Sequence, residues 1–123
     1  MKAKLVMILV IAMAVAVIFI GLQFFMKPSN KTWVVRIYVN STDPFVVKGI
    51  YDPETLEINV GDTVVWVNED TRPHSVEFEK RITDPKWIRP GDRWSYTFTS
   101  PGVYNYRCMP CFCNPMTGRV IVR

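Results

Sequence analysis

From Trp33 onward the chain runs in short stretches that alternate apolar and polar side chains, each soon cut off by a glycine or a proline. Successive side chains of a strand point to opposite faces, so alternation marks strands with one buried face. Val34 to Val39, Thr55 to Val60, Thr63 to Val67, Ser75 to Glu79, Arg93 to Thr99, Val103 to Arg107 and Arg119 to Val122 all read this way. Turn signals lie between them at Asp52-Pro53, Gly61-Asp62, Asp70 to Pro73, Pro90 to Asp92 and Ser100 to Gly102. The spacing predicts an all-β sandwich or barrel. Residues 79–89 are less regular and are read as holding a short helical turn.

The first 26 residues follow a different rule. Lys2 and Lys4 precede Leu5 to Met26, a run of 22 residues without a charge, in which Gln23 is the only plainly polar side chain. About 20 apolar residues cross a bilayer as a helix. The apolar region of a cleaved signal is shorter, about 7–15 residues, and ends at small side chains. Here the exit is Gln23-Phe24-Phe25-Met26, which is bulky. Residues 1–26 are therefore expected to be an uncleaved single-pass anchor, 27–32 a polar tether, and 33–123 a folded domain on the extracytoplasmic side. A domain of roughly 90 residues builds one core but gains much from a metal, a disulfide or a partner.

Removing Lys2 and Lys4 from the chain's 15 basic residues leaves 13 against 11 acidic ones, so the folded part is close to neutral. No basic stripe is present and no nucleic-acid partner is expected.

The residues with metal chemistry are few and clustered. His74 is the only histidine, and all three cysteines fall in Cys108-Met109-Pro110-Cys111-Phe112-Cys113, with Met116 three residues later. The segment Val60-Gly61-Asp62-Thr63-Val64-Val65-Trp66-Val67-Asn68, leading to Pro73-His74-Ser75-Val76, resembles the cupredoxin family of blue copper proteins. Pro90-Gly91-Asp92 with the strand after it, then Gly102 to Cys108 and Met116 to Val122, are similar to the closing strands and ligand loop of plastocyanin-like members. The resemblance runs from about Leu56 to Val122 and implies a Greek-key β-sandwich of about eight strands.

It implies a mononuclear copper site in which His74 matches the first histidine, Cys108 the thiolate and Met116 the axial thioether. It also sets Ser75 where family members hydrogen-bond the thiolate sulfur. Two imidazoles and a thiolate with a weak axial ligand suit both copper oxidation states. The family loop runs Cys, two residues, His, four residues, Met. In this chain Cys108, two residues, Cys111, four residues, Met116 repeats that spacing with a cysteine in the second histidine's place. Cys113 matches nothing in such a site.

Other readings of the cluster stay open at this level. A dinuclear purple site of the oxidase type puts three residues between its cysteines and three more before a histidine. Counted back from Met116, Cys113 would fill that histidine slot; counted forward from Cys108, Cys111 lies one residue too early. His74 with three cysteines also has the inventory of a structural zinc site, and in an oxidising compartment two cysteines would simply form a disulfide. Cys108 and Cys111 form a C-x-x-C pair, but outside the βαβ context of a thioredoxin-like site.

The expected function is one-electron transfer through one copper ion bound by His74, Cys108, Cys111 and Met116, with Cys113 nearby and two coppers as the alternative. The competing function is Cu(I) delivery, which soft thiolates favour. The implied partner is a redox protein or a membrane oxidase or reductase. No open catalytic constellation surrounds the cluster, so no enzyme activity is expected.

Overall fold

The structure, a computed structural model, describes residues 1–25, 29–40, 48–109 and 115–123, the side chains of 23–25 excepted. It begins with α1 (Lys2–Phe25), all of whose described side chains are exposed. At 1.5 Å per residue its 24 residues rise about 36 Å, enough to cross a hydrocarbon core of about 30 Å with tilt. This helix is long and apolar enough to cross a membrane.

Nine strands follow: β1 (Thr32–Val39), β2 (Gly49–Asp52), β3 (Thr55–Ile58), β4 (Thr63–Asn68), β5 (His74–Phe78), β6 (Lys86–Ile88), β7 (Arg93–Thr97), β8 (Gly102–Arg107) and β9 (Thr117–Val122). They form two sheets, ordered β2-β1-β4-β7 and β3-β9-β8-β5-β6. The β1–β4 and β3–β9 pairs are parallel and the others antiparallel. Of the sandwich or barrel that the alternation allowed, the sandwich is the one formed, with two strands that the alternation did not indicate. One is β2. The other is β6, which with turns replaces the helical turn expected in residues 79–89.

The sheets meet on an aromatic core. Trp66 of β4 is fully buried and meets Phe78 of β5 and Tyr106 of β8 edge-on, with ring centroids 5.9 and 5.4 Å apart. Val35, Ile37, Val64, Val76 and Val120 close the space around them. The tryptophans divide between core and surface. Trp87 of the edge strand β6 is 57% exposed, whereas Trp33 and Trp94 pack against the core.

Strand direction gives the sandwich two distinct ends. At one, Thr32 of β1 pairs with Thr63 of β4, and Val60 N–H donates to the carbonyl of Arg123. Asp62 organises this end. Its carboxylate, fully buried, accepts from Lys31 N–H at 2.9 Å, Trp33 Nε1–H at 3.0 Å and Asn59 N–H at 3.1 Å. The segment that follows the helix is therefore tied to the β3–β4 turn, where Gly61 takes a positive φ of 92° that favours glycine. At the other end lie the close of β4, the start of β5, the close of β8 and the start of β9. With about 3.3 Å per residue, the six residues of β4 separate the ends by about 17 Å.

Candidate metal centre

At the end away from Asp62, three of the sequence-identified side chains converge. His74 is the first residue of β5, Cys108 directly follows β8, and Met116 directly precedes β9. β5 and β8 are antiparallel neighbours, with Glu77 opposite Arg107. Continuing that register sets Ser75 opposite Met109 and brings His74 to the cysteine. The imidazole Nδ1 of His74 lies 3.8 Å from Cys108 Sγ. Both residues are buried, as is Met116.

β2 supplies the wall on which the thioether and the imidazole meet. A Cβ placed on Gly49 would lie 2.8 Å from Met116 Sδ and 3.3 Å from His74 Cε1. The absence of a side chain at Gly49 leaves that space to the sulfur. Cys108 N–H donates to the carbonyl of Met116 at 3.0 Å, closing the neck of the loop that carries both sulfurs.

Hydrogen bonds hold each group in place. Ser75 N–H donates to Cys108 Sγ at 3.3 Å. The Ser75 hydroxyl accepts from Met109 N–H at 2.7 Å and donates to the Met109 carbonyl at 3.0 Å, so its one proton is directed there rather than to Sγ, 3.7 Å away. The Ser75 carbonyl accepts from the Tyr51 hydroxyl. On the far side of the imidazole, Nε2 lies 2.6 Å from Asp70 Oδ2. His74 is raised above the ordinary histidine range: its contact with Cys108 dominates, burial opposes it, and the bond to Asp70 adds to it. Burial pushes the Asp70 carboxyl up, but its bonds from His74 and from Thr71 N–H outweigh this and hold it below the usual range.

Among the described residues no three His, Cys, Asp or Glu side chains converge to hold a metal ion. His74 and Cys108 make two donors and the Met116 thioether a third of a different kind. Cys111 and Cys113 lie outside the described residues. Bond lengths of about 2.0 Å to imidazole and about 2.3 Å to thiolate, at a trigonal angle, put N and S about 3.7 Å apart. The 3.8 Å between Nδ1 and Sγ fits one ion bound between them. One imidazole, one thiolate and one thioether are a borderline-to-soft set, the kind that copper takes.

Sequence reasoning found His74, Ser75, Cys108 and Met116 but not Asp70 or Gly49. Asp70, four residues before His74, was legible only as part of a turn. Gly49 belongs to a strand that carried no alternation signal.

Two sheets closing on an aromatic core, with a histidine, a cysteine and a methionine gathered at one end, define a metal-binding β-sandwich. Residues 46–123, more than half of the chain, match the family model of copper binding proteins of the plastocyanin/azurin family. Over 84 residues the chain is 36% identical to an amicyanin of Paracoccus denitrificans, covering 63% of this chain and 61% of that protein. It is 35% identical over 89 residues to a plastocyanin of Synechococcus sp., covering 59% and 63%. The chain thus spans less than two thirds of either relative's length. Among solved structures, a purple cupredoxin from Nitrosopumilus maritimus superposes with a TM-score of 0.55 at 30% identity, covering 72% of this chain and 98% of that one. The chain belongs to the plastocyanin/azurin family of copper-binding cupredoxins.

Proposed function

We propose that the protein is a membrane-anchored one-electron carrier whose single copper ion is held by His74, Cys108 and Met116, with Cys111 as fourth ligand. The observation that carries this reading is the approach of His74 Nδ1 to Cys108 Sγ at 3.8 Å, with Met116 Sδ packed on the same glycine as the imidazole. Bound copper supplies the one-electron couple. The protein's part is to hold the donors still. Ser75, Met109, Tyr51 and Asp70 fix them through hydrogen bonds, and burial of His74, Cys108 and Met116 keeps bulk water from the donors. A site braced in this way changes little between oxidation states, which favours transfer over chemistry on a substrate.

In this reading α1 stays in the membrane as an anchor, with the copper domain on the extracytoplasmic side. The chain enters β1 at the Asp62 end, about 17 Å from the end that holds the site. That arrangement favours a partner that approaches from the aqueous side, such as a redox protein or the exposed domain of a membrane oxidase or reductase. Retention through high-salt washing with release only by detergent supports the anchor. A soluble mature chain starting near Lys27 rejects it.

Cys111 and Cys113 give the loop two more soft donors and favour a second reading, Cu(I) delivery. Repeated reduction and oxidation at constant copper content identifies a carrier. Loss of copper to an acceptor protein on reduction identifies a delivery protein.

A further inference from the structure

We propose that Asp70 is a positioning residue for the copper site, setting the tautomer of His74 and, through its charge, the balance between the two copper oxidation states. The inference rests on the copper reading above. His74 Nε2 and Asp70 Oδ2 are 2.6 Å apart, with only 9% and 11% of the two side chains exposed. At that distance Nε2 carries the proton and donates it to the carboxylate. Nδ1, the nitrogen facing Cys108 Sγ, is then left with its lone pair.

The carboxylate is itself held. Asp70 Oδ1 accepts from Thr71 N–H at 2.7 Å, so both oxygens are engaged. Asp70 N–H donates to Asn68 Oδ1 at 3.0 Å. Asn68 is fully buried, and its Nδ2 donates to the carbonyls of Arg72 and Ile88 at 2.8 and 2.9 Å. Ile88 pairs with His74 across β5 and β6, so the brace returns to the histidine it serves. Every residue from Asn68 to Arg72 except Glu69 takes part.

Two effects follow. Without an acceptor on Nε2 the ring loses its preference for the tautomer that leaves Nδ1 free, and metal affinity falls. A partner of this kind is typically worth about 10- to 100-fold in affinity. The carboxylate also places a negative charge behind the ligand, which favours Cu(II) over Cu(I). Each tenfold loss of Cu(II) affinity at constant Cu(I) affinity raises the potential of a one-electron couple by about 59 mV.

The test compares wild type with Asp70→Asn, Asp70→Ala and His74→Ala by competition titrations for Cu(II) and Cu(I), by voltammetry, and by nitrogen NMR of the imidazole in the metal-free protein. Asp70→Asn, which keeps an acceptor without the charge, is expected to keep the Nε2–H tautomer and raise the potential. Asp70→Ala is expected to mix the tautomers and weaken Cu(II) binding about 10- to 100-fold. Unchanged tautomer, affinity and potential in both Asp70 variants, with copper lost in His74→Ala, overturns the role of Asp70 and leaves the copper reading standing. Full copper affinity in His74→Ala overturns that reading and this inference with it. Asp70→Asn keeps the test open if Asp70→Ala does not fold.

Discussion

The backbone amide of Ser75 donates to Cys108 Sγ at 3.3 Å, while the same residue's hydroxyl exchanges two hydrogen bonds with the backbone of Met109. One residue thus steadies the sulfur with its main chain and the backbone just after the cysteine with its side chain. Ser75→Ala keeps the first function and removes the second. It is expected to cost about 1–2 kcal/mol in chemical denaturation, from two lost hydrogen bonds between a buried hydroxyl and the backbone of the exposed Met109. The thiolate-to-Cu(II) absorption band should stay in place.

Asp62 gives a pH dependence with a definite sign. Burial pushes its carboxyl up, but bonds from Ser29, Asn59, Trp33 and Lys31 outweigh it and hold the group at about 2, against an ordinary value of 3.8. A depressed carboxylate stabilises the fold fully above its unfolded value and loses that contribution as pH falls through its folded one. Asp62→Ala should cost about 3 kcal/mol at neutral pH, since it strands Trp33 Nε1 and two backbone amides. In urea titrations the gap between wild type and variant should be constant above pH ~5 and narrow below 3.8 towards 2. A gap that widens on acidification contradicts the assignment.

Two glycines should respond differently to the same methyl group. A Cβ at Gly118 would lie under 3.0 Å from both Cζ and the hydroxyl oxygen of Tyr106, a buried core side chain packed edge-on to Tyr51 and Trp66. Gly118→Ala is expected to destabilise the domain by about 1–3 kcal/mol or more. At Gly49 the nearest atom is the flexible end of Met116, so Gly49→Ala should cost less stability and instead displace Sδ. Its signature is a shifted reduction potential with a nearly unchanged melting temperature.

Much of this was legible in the chain because sandwich strands alternate and the three donors sit at the ends of such strands. The alternation failed where a strand was too short to show a period. Gly49-Ile50-Tyr51-Asp52 has only one buried residue, Tyr51, and Lys86-Trp87-Ile88 leaves its tryptophan outside because β6 is a sheet edge. Asp70 was hidden for another reason. Its part depends on which nitrogen of His74 faces the sulfur, a tertiary relation that spacing along the chain does not carry.

Cys111 and Cys113 are separated by spacing alone. Cys111 occupies the second-histidine slot of a plastocyanin-like loop and Cys113 does not. Cys111→His should retain copper and give a two-histidine site whose spectrum is dominated by one thiolate. Cys113→Ser should leave the spectrum nearly unchanged. A site indifferent to Cys111 and lost with Cys113 would show that the loop is read backward from Met116, with Cys113 as the ligand.

The proposed copper site rests on one ion bound between His74 and Cys108. It is tested most directly by copper stoichiometry and visible absorption of the Cu(II) form, in wild type and in Cys108→Ser. The prediction is one copper per chain and an intense thiolate-to-copper band that vanishes in Cys108→Ser, because that sulfur is the donor. An undiminished band in Cys108→Ser, or a wild-type protein that takes up copper without any such band, contradicts it.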